Sequence, residues 1–125
     1  MRCSDFEIEV LQVFWEQGDL TAPEIHEIIQ KRRLVAYNTV KTIIDRLEKK
    51  GAVERIRQYG RTILFRATVA EAEITRPMVQ SMLKRLFGGN RKALMSHLFQ
   101  DEALSDDEIL YLESLLKNHK KGGQP

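Results

Sequence analysis

The hydrophobic residues of the first fifty positions recur at helical spacing in three short segments, 4–16, 22–30 and 37–50. The second segment begins with the capping box Thr21-Ala-Pro-Glu24, which has proline near the first helical position. The third has one apolar stripe at positions i, i+3, i+4 and i+7, formed by Val40, Ile43, Ile44 and Leu47. Three helices, each buried along one side, are predicted.

The pattern then changes to the alternation that is typical of strands. Residues 53–59 and 61–67 alternate roughly between apolar and polar side chains around Gly60, which predicts a β-hairpin with arginines on its exposed side. Three more helical stripes follow from about residue 70, and the last one is expected to fade into a lysine and glycine tail from about His119.

The order helix, helix, helix, hairpin is that of a winged helix-turn-helix, in which the third helix enters the major groove of DNA. We therefore predict a mostly α fold class with a small β-hairpin. Its domains are an N-terminal winged helix over residues 1–69 and a three-helix dimerisation region over residues 70–125 with a short disordered tail.

Charge is distributed unevenly, although the 125-residue chain as a whole carries only +2. Residues 1–30 contain one basic and seven acidic side chains, whereas residues 31–66 contain eleven basic and three acidic ones. A basic block inside a nearly neutral protein is the electrostatic footprint of nucleic-acid binding. This block coincides with the third helix and the hairpin.

The side of the third helix opposite its apolar stripe carries amide, hydroxyl and cationic groups, which can hold phosphates and read base edges. The predicted DNA-binding residues on this side and on the hairpin are Asn38, Thr39, Lys41, Thr42, Arg46, Arg55, Arg57 and Arg61. A solvated helix face is the alternative interpretation, and the nearby arginines of the hairpin argue against it. Asp45 either accepts a hydrogen bond from a cytosine amino group or pairs with Lys49 one turn on, and pairing is favoured.

The C-terminal helices are too small to enclose their own apolar stripes, so a second copy of the chain is expected to cover them. The predicted dimer interface consists of Val79, Met82, Leu83, Leu86, Leu112, Leu115 and Leu116.

Catalytic and metal-binding patterns do not occur in the sequence. The histidines are isolated, Cys3 is the single cysteine, and no glycine-rich phosphate loop is present. We expect a protein that is not an enzyme and has no cofactor and no metal. The single cysteine and the short apolar runs predict a cytoplasmic protein without membrane insertion.

Five stretches resemble the family of penicillinase and methicillin-resistance repressors, which is grouped with the copper-responsive repressors. They lie in the family order over nearly the whole chain and read EIEVLQVFW (7–15), TAPEI (21–25), NTVKTIIDRLEKKG (38–51), LFGG (86–89) and LSDDEI (104–109). The resemblance implies a homodimeric repressor with a winged helix on each half of a palindromic DNA operator. It also implies control of β-lactamase-like or stress-response genes, with inactivation by proteolysis that a membrane metallopeptidase sensor triggers directly or indirectly.

Carried over by position, the threonine and the basic residue of the family's recognition helix fall on Thr39 and Lys41. The family's scissile pair falls on His97-Leu98, where the penicillinase repressors have asparagine-phenylalanine. Residues 96–104 are expected to connect two helices, and such connections are where chains are cut by proteases. The C-terminal cysteine motif of the copper branch is absent, so copper sensing by that route is not expected. A protein-interaction module and an RNA-binding module, both built on a winged helix, stay open as alternatives.

Overall fold

The computed structural model describes residues 1–100 and 103–122. In chain order, the elements are α1 (Asp5–Gln17), β1 (Leu20–Thr21), α2 (Ala22–Gln30), α3 (Tyr37–Lys50), β2 (Val53–Tyr59), β3 (Thr62–Ala67), α4 (Glu71–Phe87), α5 (Arg91–Gln100) and α6 (Asp106–Gly122). The described chain forms two compact units, and the boundary between them falls in α4 between Val79 and Gln80. The mostly α fold class with a small hairpin is confirmed.

Local sequence explains where the first three helices begin and end. Complete capping boxes start α1 at Ser4 and α2 at Thr21, so that side-chain oxygens accept from otherwise unpaired backbone N–H groups. Gly51, with φ of 83°, ends α3 in the left-handed conformation that glycine adopts without steric cost. The predicted bounds of α2 and α3 are confirmed.

The sheet has three antiparallel strands in the order β1-β3-β2. Strands β2 and β3 form the predicted hairpin, with a bulge between Arg55 and Arg57 that interrupts the alternation of sides. Strand β1 pairs Leu20 with Phe65 and Thr21 with Leu64. Strand β1 was not predicted, because two residues are too few to show a periodic pattern.

The three helices and the sheet enclose the core of the first unit. The whole apolar stripe of α3 is buried there, together with Phe65 of β3 and Ile74 of α4. Full burial of one such aliphatic side chain contributes about 2 kcal/mol. The indole Nε1 of Trp15 donates to the carbonyl of Val69 at 2.9 Å, which fastens the segment before α4 to α1.

The second unit contains the rest of α4 together with α5 and α6. Gly88 and Gly89 both have positive φ and close the end of α4 with backbone hydrogen bonds to Lys84 and Leu83. Helix α6 starts at a Ser105 cap and continues to Gly122, so the prediction that it fades from about His119 was wrong. Lysines are good helix formers and are favoured near a helix C-terminus, which explains the extension. The rest of the expected tail, residues 123–125, lies outside the described residues.

Candidate nucleic-acid interface

Helix α3 exposes its polar side because its apolar stripe is fully engaged in the core. Asn38, Thr39, Thr42 and Arg46 are exposed on this side, and Lys41 is partly exposed. The Thr42 hydroxyl donates to the Asn38 carbonyl at 2.9 Å, and its oxygen keeps its capacity to accept. The surface therefore offers amide, hydroxyl and cationic groups within about two helical turns.

Four charged side chains, Lys41, Asp45, Glu48 and Arg55, form two ion pairs beside the ring of Phe65; we call them the Phe65 charge cluster. Lys41 Nζ lies 2.5 Å from Asp45 Oδ1. Arg55 Nε and Nη2 lie 2.6 and 3.2 Å from the two oxygens of Glu48. Lys41 Nζ and Arg55 Cζ each lie 5.9 Å from the ring centroid of Phe65, within the range of a cation–π contact. The hydrogen bonds and the charge of Glu48 raise the pKa of Arg55 above its ordinary value.

The predicted pairing of Asp45 with Lys49 was wrong, because Asp45 pairs with Lys41 on the preceding turn. The intrinsic helix preference favours an acid that precedes its basic partner, which is why the sequence pointed to Lys49. Lys41 instead lies over Phe65, a contact made by a strand more than twenty residues away in sequence. Tertiary structure thus overrides the local preference.

The hairpin presents Arg57 and Arg61 near its turn, and both are exposed. The Nη1 of Arg57 donates to the hydroxyl of Tyr59 at 3.0 Å, so the two side chains lie together. Gly60 has φ of 60°, which lets the chain reverse direction tightly between them and Arg61. Arg66, at the other end of β3, pairs with Asp19 at 3.0 Å, and its charge is compensated there.

A half-buried ion pair that was not predicted holds the C-terminal end of α3. Lys50 Nζ lies 2.9 and 2.6 Å from the two oxygens of Glu7 and donates to the Arg2 carbonyl at 2.8 Å. Glu7 is only 4% exposed. Burial alone would raise the pKa of Glu7, but hydrogen bonds from Lys50 and Ser4 outweigh it and hold the pKa below the ordinary value. Glu7 and Lys50 are 43 residues apart, so no local sequence pattern predicts their pairing.

The N-terminal end of α3 is held by a histidine of α2. His26 Nε2 lies 2.8 Å from the carbonyl oxygen of Val35, in the turn between the two helices. Its ring also meets the ring of Tyr37 edge-on, with 5.7 Å between centroids. In the sequence His26 was isolated, because one partner lies in the following turn and the other at the start of α3. Contacts at both ends therefore fix α3 in place.

The residues predicted for the dimer interface lie on α4 and α6. Val79, Leu86, Leu115 and Leu116 are exposed, and Met82, Leu83 and Leu112 are half-buried. In the second unit, an apolar groove is lined by Leu112 and Leu115 together with Phe99, Leu104 and Tyr111.

The predicted cleavage pair lies in a helix. Helix α5 continues to Gln100, so the expectation that residues 96–104 form a connection was wrong for its first five positions. His97 meets the ring of Phe87 edge-on with 5.8 Å between centroids, and Leu98 is 62% exposed. The remaining connection includes Asp101 and Glu102, which lie outside the described residues.

Across residues 1–100 and 103–122, no group of three or more histidine, cysteine, aspartate or glutamate side chains is arranged to hold a metal ion. In that same part of the chain, no helix combines the length and the apolar character needed to cross a membrane.

Comparison with known proteins gives a consistent result. The family model described as penicillinase repressor matches residues 3–118. The penicillinase repressor of Bacillus licheniformis is 27% identical over 117 residues, which cover 94% of this chain and 91% of that protein. The methicillin resistance regulatory protein MecI of Mammaliicoccus sciuri is 29% identical over 113 residues, or 90% of this chain and 91% of that protein. The solution structure of the monomeric form of Bacillus licheniformis BlaI in complex with the blaP half-operator matches with a TM-score of 0.50 and 27% identity, covering 58% of this chain and 88% of that one.

Proposed function

Because the chain belongs to the penicillinase repressor family, we propose that it is a homodimeric transcriptional repressor that binds a palindromic DNA operator. The domain predicted over residues 1–69 binds one half-site, and the region over residues 70–125 joins two copies. The observation that carries the proposal is the exposed polar side of α3 beside the arginines of the hairpin. The related BlaI was solved as a monomeric form with a half-operator, which supports one winged helix per half-site.

In this proposal, α3 enters the major groove, which is wide enough to admit one helix. Asn38, Thr39, Lys41, Thr42 and Arg46 then face base edges and the adjoining phosphates. The hairpin lies along the backbone, where Arg57 and Arg61 contact phosphates without reading sequence. Arg55 supports this surface from beside Glu48.

The exposed apolar side chains of α4 and α6 support the dimer. Leu86, Leu115 and Leu116 are each at least 46% exposed in a single copy. A second copy would cover them. Linking two winged helices on one palindrome raises affinity by about 10² to 10⁴, because the second half-site is bound intramolecularly.

Release of the operator follows, in this proposal, from proteolysis at His97-Leu98 that a membrane metallopeptidase sensor triggers directly or indirectly. Because this pair is helical, the last turn of α5 must first unwind before a protease can bind it in an extended form. The cut separates α6 from the winged helix, so the gain from dimerisation is lost. The genes under control are expected to be β-lactamase-like or stress-response genes.

Single substitutions test the DNA-binding part. The probe is the duplex that the full-length protein selects from a randomised DNA pool. Lys41→Ala or Arg46→Ala should weaken binding to this duplex by about 1–3 kcal/mol and relax its sequence preference. Arg57→Ala or Arg61→Ala should weaken binding to all duplexes alike and reduce the slope of affinity against salt concentration by about one.

Lys84→Ala is the matched control, because Lys84 is an exposed cation of α4 outside the predicted surface. It should leave both affinity and salt slope unchanged. If all four interface variants bind as the unsubstituted protein does, or if the protein selects no duplex at all, the proposed function is wrong.

A further inference from the structure

The ion pair between Lys41 and Asp45 places a hydrogen-bond donor and an acceptor side by side on the exposed side of α3. Their charged atoms are 2.5 Å apart, and the Asp45 side chain is 53% exposed. Within the described residues, Asp45 Oδ2 accepts no hydrogen bond. One carboxylate oxygen of Asp45 is therefore available to a ligand that approaches α3.

A carboxylate at this position lowers the affinity of the surface for DNA, because the phosphates repel its negative charge. The cost is not offset by helix stability, since an exposed pair at i, i+4 contributes only about 0.3–0.5 kcal/mol and the order lysine before aspartate is the weaker one. Asp45 is also not needed to neutralise Arg55, because Glu48 already accepts hydrogen bonds from Nε and Nη2 of its guanidinium group. A role in recognition explains why the acid lies there.

Resting on the proposed function, we propose that Asp45 is a specificity-determining residue that reads a G·C base pair together with Lys41. In the major groove, guanine offers two adjacent acceptors, O6 and N7, and its cytosine offers the N4 amino donor beside them. The Lys41 ammonium donates to guanine while the Asp45 carboxylate accepts from cytosine. The pair of side chains complements the base pair as a unit.

An A·T pair does not fit this arrangement equally well. Its amino donor, N6 of adenine, lies between two acceptors, N7 of adenine and O4 of thymine, and the thymine methyl occupies the edge. A carboxylate placed over N6 would therefore approach two electron-rich atoms. In a G·C pair, the N4 donor of cytosine lies at one end of the row of hydrogen-bonding groups. Both acceptors, N7 and O6 of guanine, lie on the same side of this donor, where Lys41 contacts them.

The position of Lys41 is fixed independently of Asp45. Its ammonium lies 5.9 Å from the centroid of the buried Phe65 ring, and the side chain is 31% exposed. Preorganisation of this kind lowers the entropy lost on binding and makes the direction of the donor reproducible. Removal of Asp45 should consequently change which base pair is preferred while the protein still binds DNA.

The test is selection from a randomised duplex pool by the full-length protein and by two isosteric variants, followed by measurement of affinities for the selected duplexes. The unsubstituted protein should select half-sites with one strongly preferred G·C pair. Asp45→Asn should lower the preference at that pair by about tenfold or more and shift it toward A·T, because asparagine binds adenine bidentately. Binding to unrelated duplexes should become tighter, because a negative charge is removed.

Glu16→Gln is the matched control, since it neutralises an exposed acid of α1 outside the predicted DNA-binding surface and should leave every base preference in place. Asp45→Ala is a second variant that removes the acceptor without adding a donor, so it should lose the preference without gaining A·T. Circular dichroism checks that each variant is folded.

The inference is overturned if Asp45→Asn keeps the G·C preference, or if it weakens the preferences at all positions equally. A protein that selects no common sequence would instead contradict the proposed function itself. These two failures are therefore distinguishable.

Discussion

Replacement of Lys50 by methionine removes the cation that compensates a buried carboxylate. Glu7 is 4% exposed, and both of its oxygens lie within 2.9 Å of Lys50 Nζ. Methionine has similar length and keeps the apolar stem of the lysine, so the substitution mainly deletes the charge. Among the described residues, the Glu7 carboxylate then keeps only the hydrogen bond from the Ser4 N–H.

The expected loss of unfolding free energy is about 2 kcal/mol. Removal of one partner from a fully buried ion pair costs about 3–5 kcal/mol, because the other charge is left uncompensated. The Lys50 side chain is 36% exposed, so water screens part of this interaction and lowers the cost. The neighbouring Lys49 is exposed and has no described partner, so Lys49→Met should change stability by less than about 0.5 kcal/mol.

Urea unfolding followed by the fluorescence of Trp15, the single tryptophan, measures both variants. The pKa of Glu7 is lowered in the folded protein, so its ion pair contributes stability above the unfolded pKa of about 4.3 and loses it as the pH falls through the folded pKa. The difference between Lys50→Met and the unsubstituted protein should therefore be largest near pH 7 and shrink below about pH 4. A Lys50→Met variant as stable as Lys49→Met at pH 7, or a difference that grows in acid, would refute the reasoning.

Three further predictions concern the units and their connection. A fragment of residues 1–79, which keeps Ile74 in the core, should sediment as a monomer and bind a full palindrome about 10² to 10⁴ more weakly than the intact chain; a dimeric fragment would contradict the proposed interface. Exposure of the host to a β-lactam should yield a chain cut between His97 and Leu98 in mass spectrometry, and derepression with an intact chain would exclude this route. Trp15→Phe should lower the unfolding free energy in thermal denaturation by about 1 kcal/mol, because the indole bond to Val69 is lost; unchanged stability would show that this bond contributes nothing.

Local sequence determined the elements of the first unit well. The caps at Ser4 and Thr21, the apolar stripe of α3 and the stop at Gly51 each act within a few residues, so their pattern predicts the bounds directly. Strand β1 has no such pattern, because its two residues form a strand only through pairing with β3.

The exposed polar side of α3 could be predicted from the sequence, but the contacts of its residues could not. The partner of Asp45 depends on Phe65, the partner of Glu7 depends on the far end of α3, and the contact of His26 depends on the fold of the turn before α3. The contacts of Glu7 and His26 join different segments of the chain, and the Lys41–Asp45 pair within α3 depends on a contact with β3, so helical periodicity determines none of them. The sequence did not show that α5 continues past His97 to Gln100. The Ser105 cap marks where α6 begins, but it does not mark where α5 ends.

Footprinting of the full-length protein on its selected duplex tests the central claim most directly, namely that a dimer places one α3 in the major groove of each half-site. We predict two symmetric protected segments, with centres about one helical turn of 10 base pairs, or a multiple of it, apart on one side of the duplex. Arg46→Ala should weaken protection of both segments equally. A single asymmetric segment, or no protection at concentrations that saturate the selected duplex, would contradict the account.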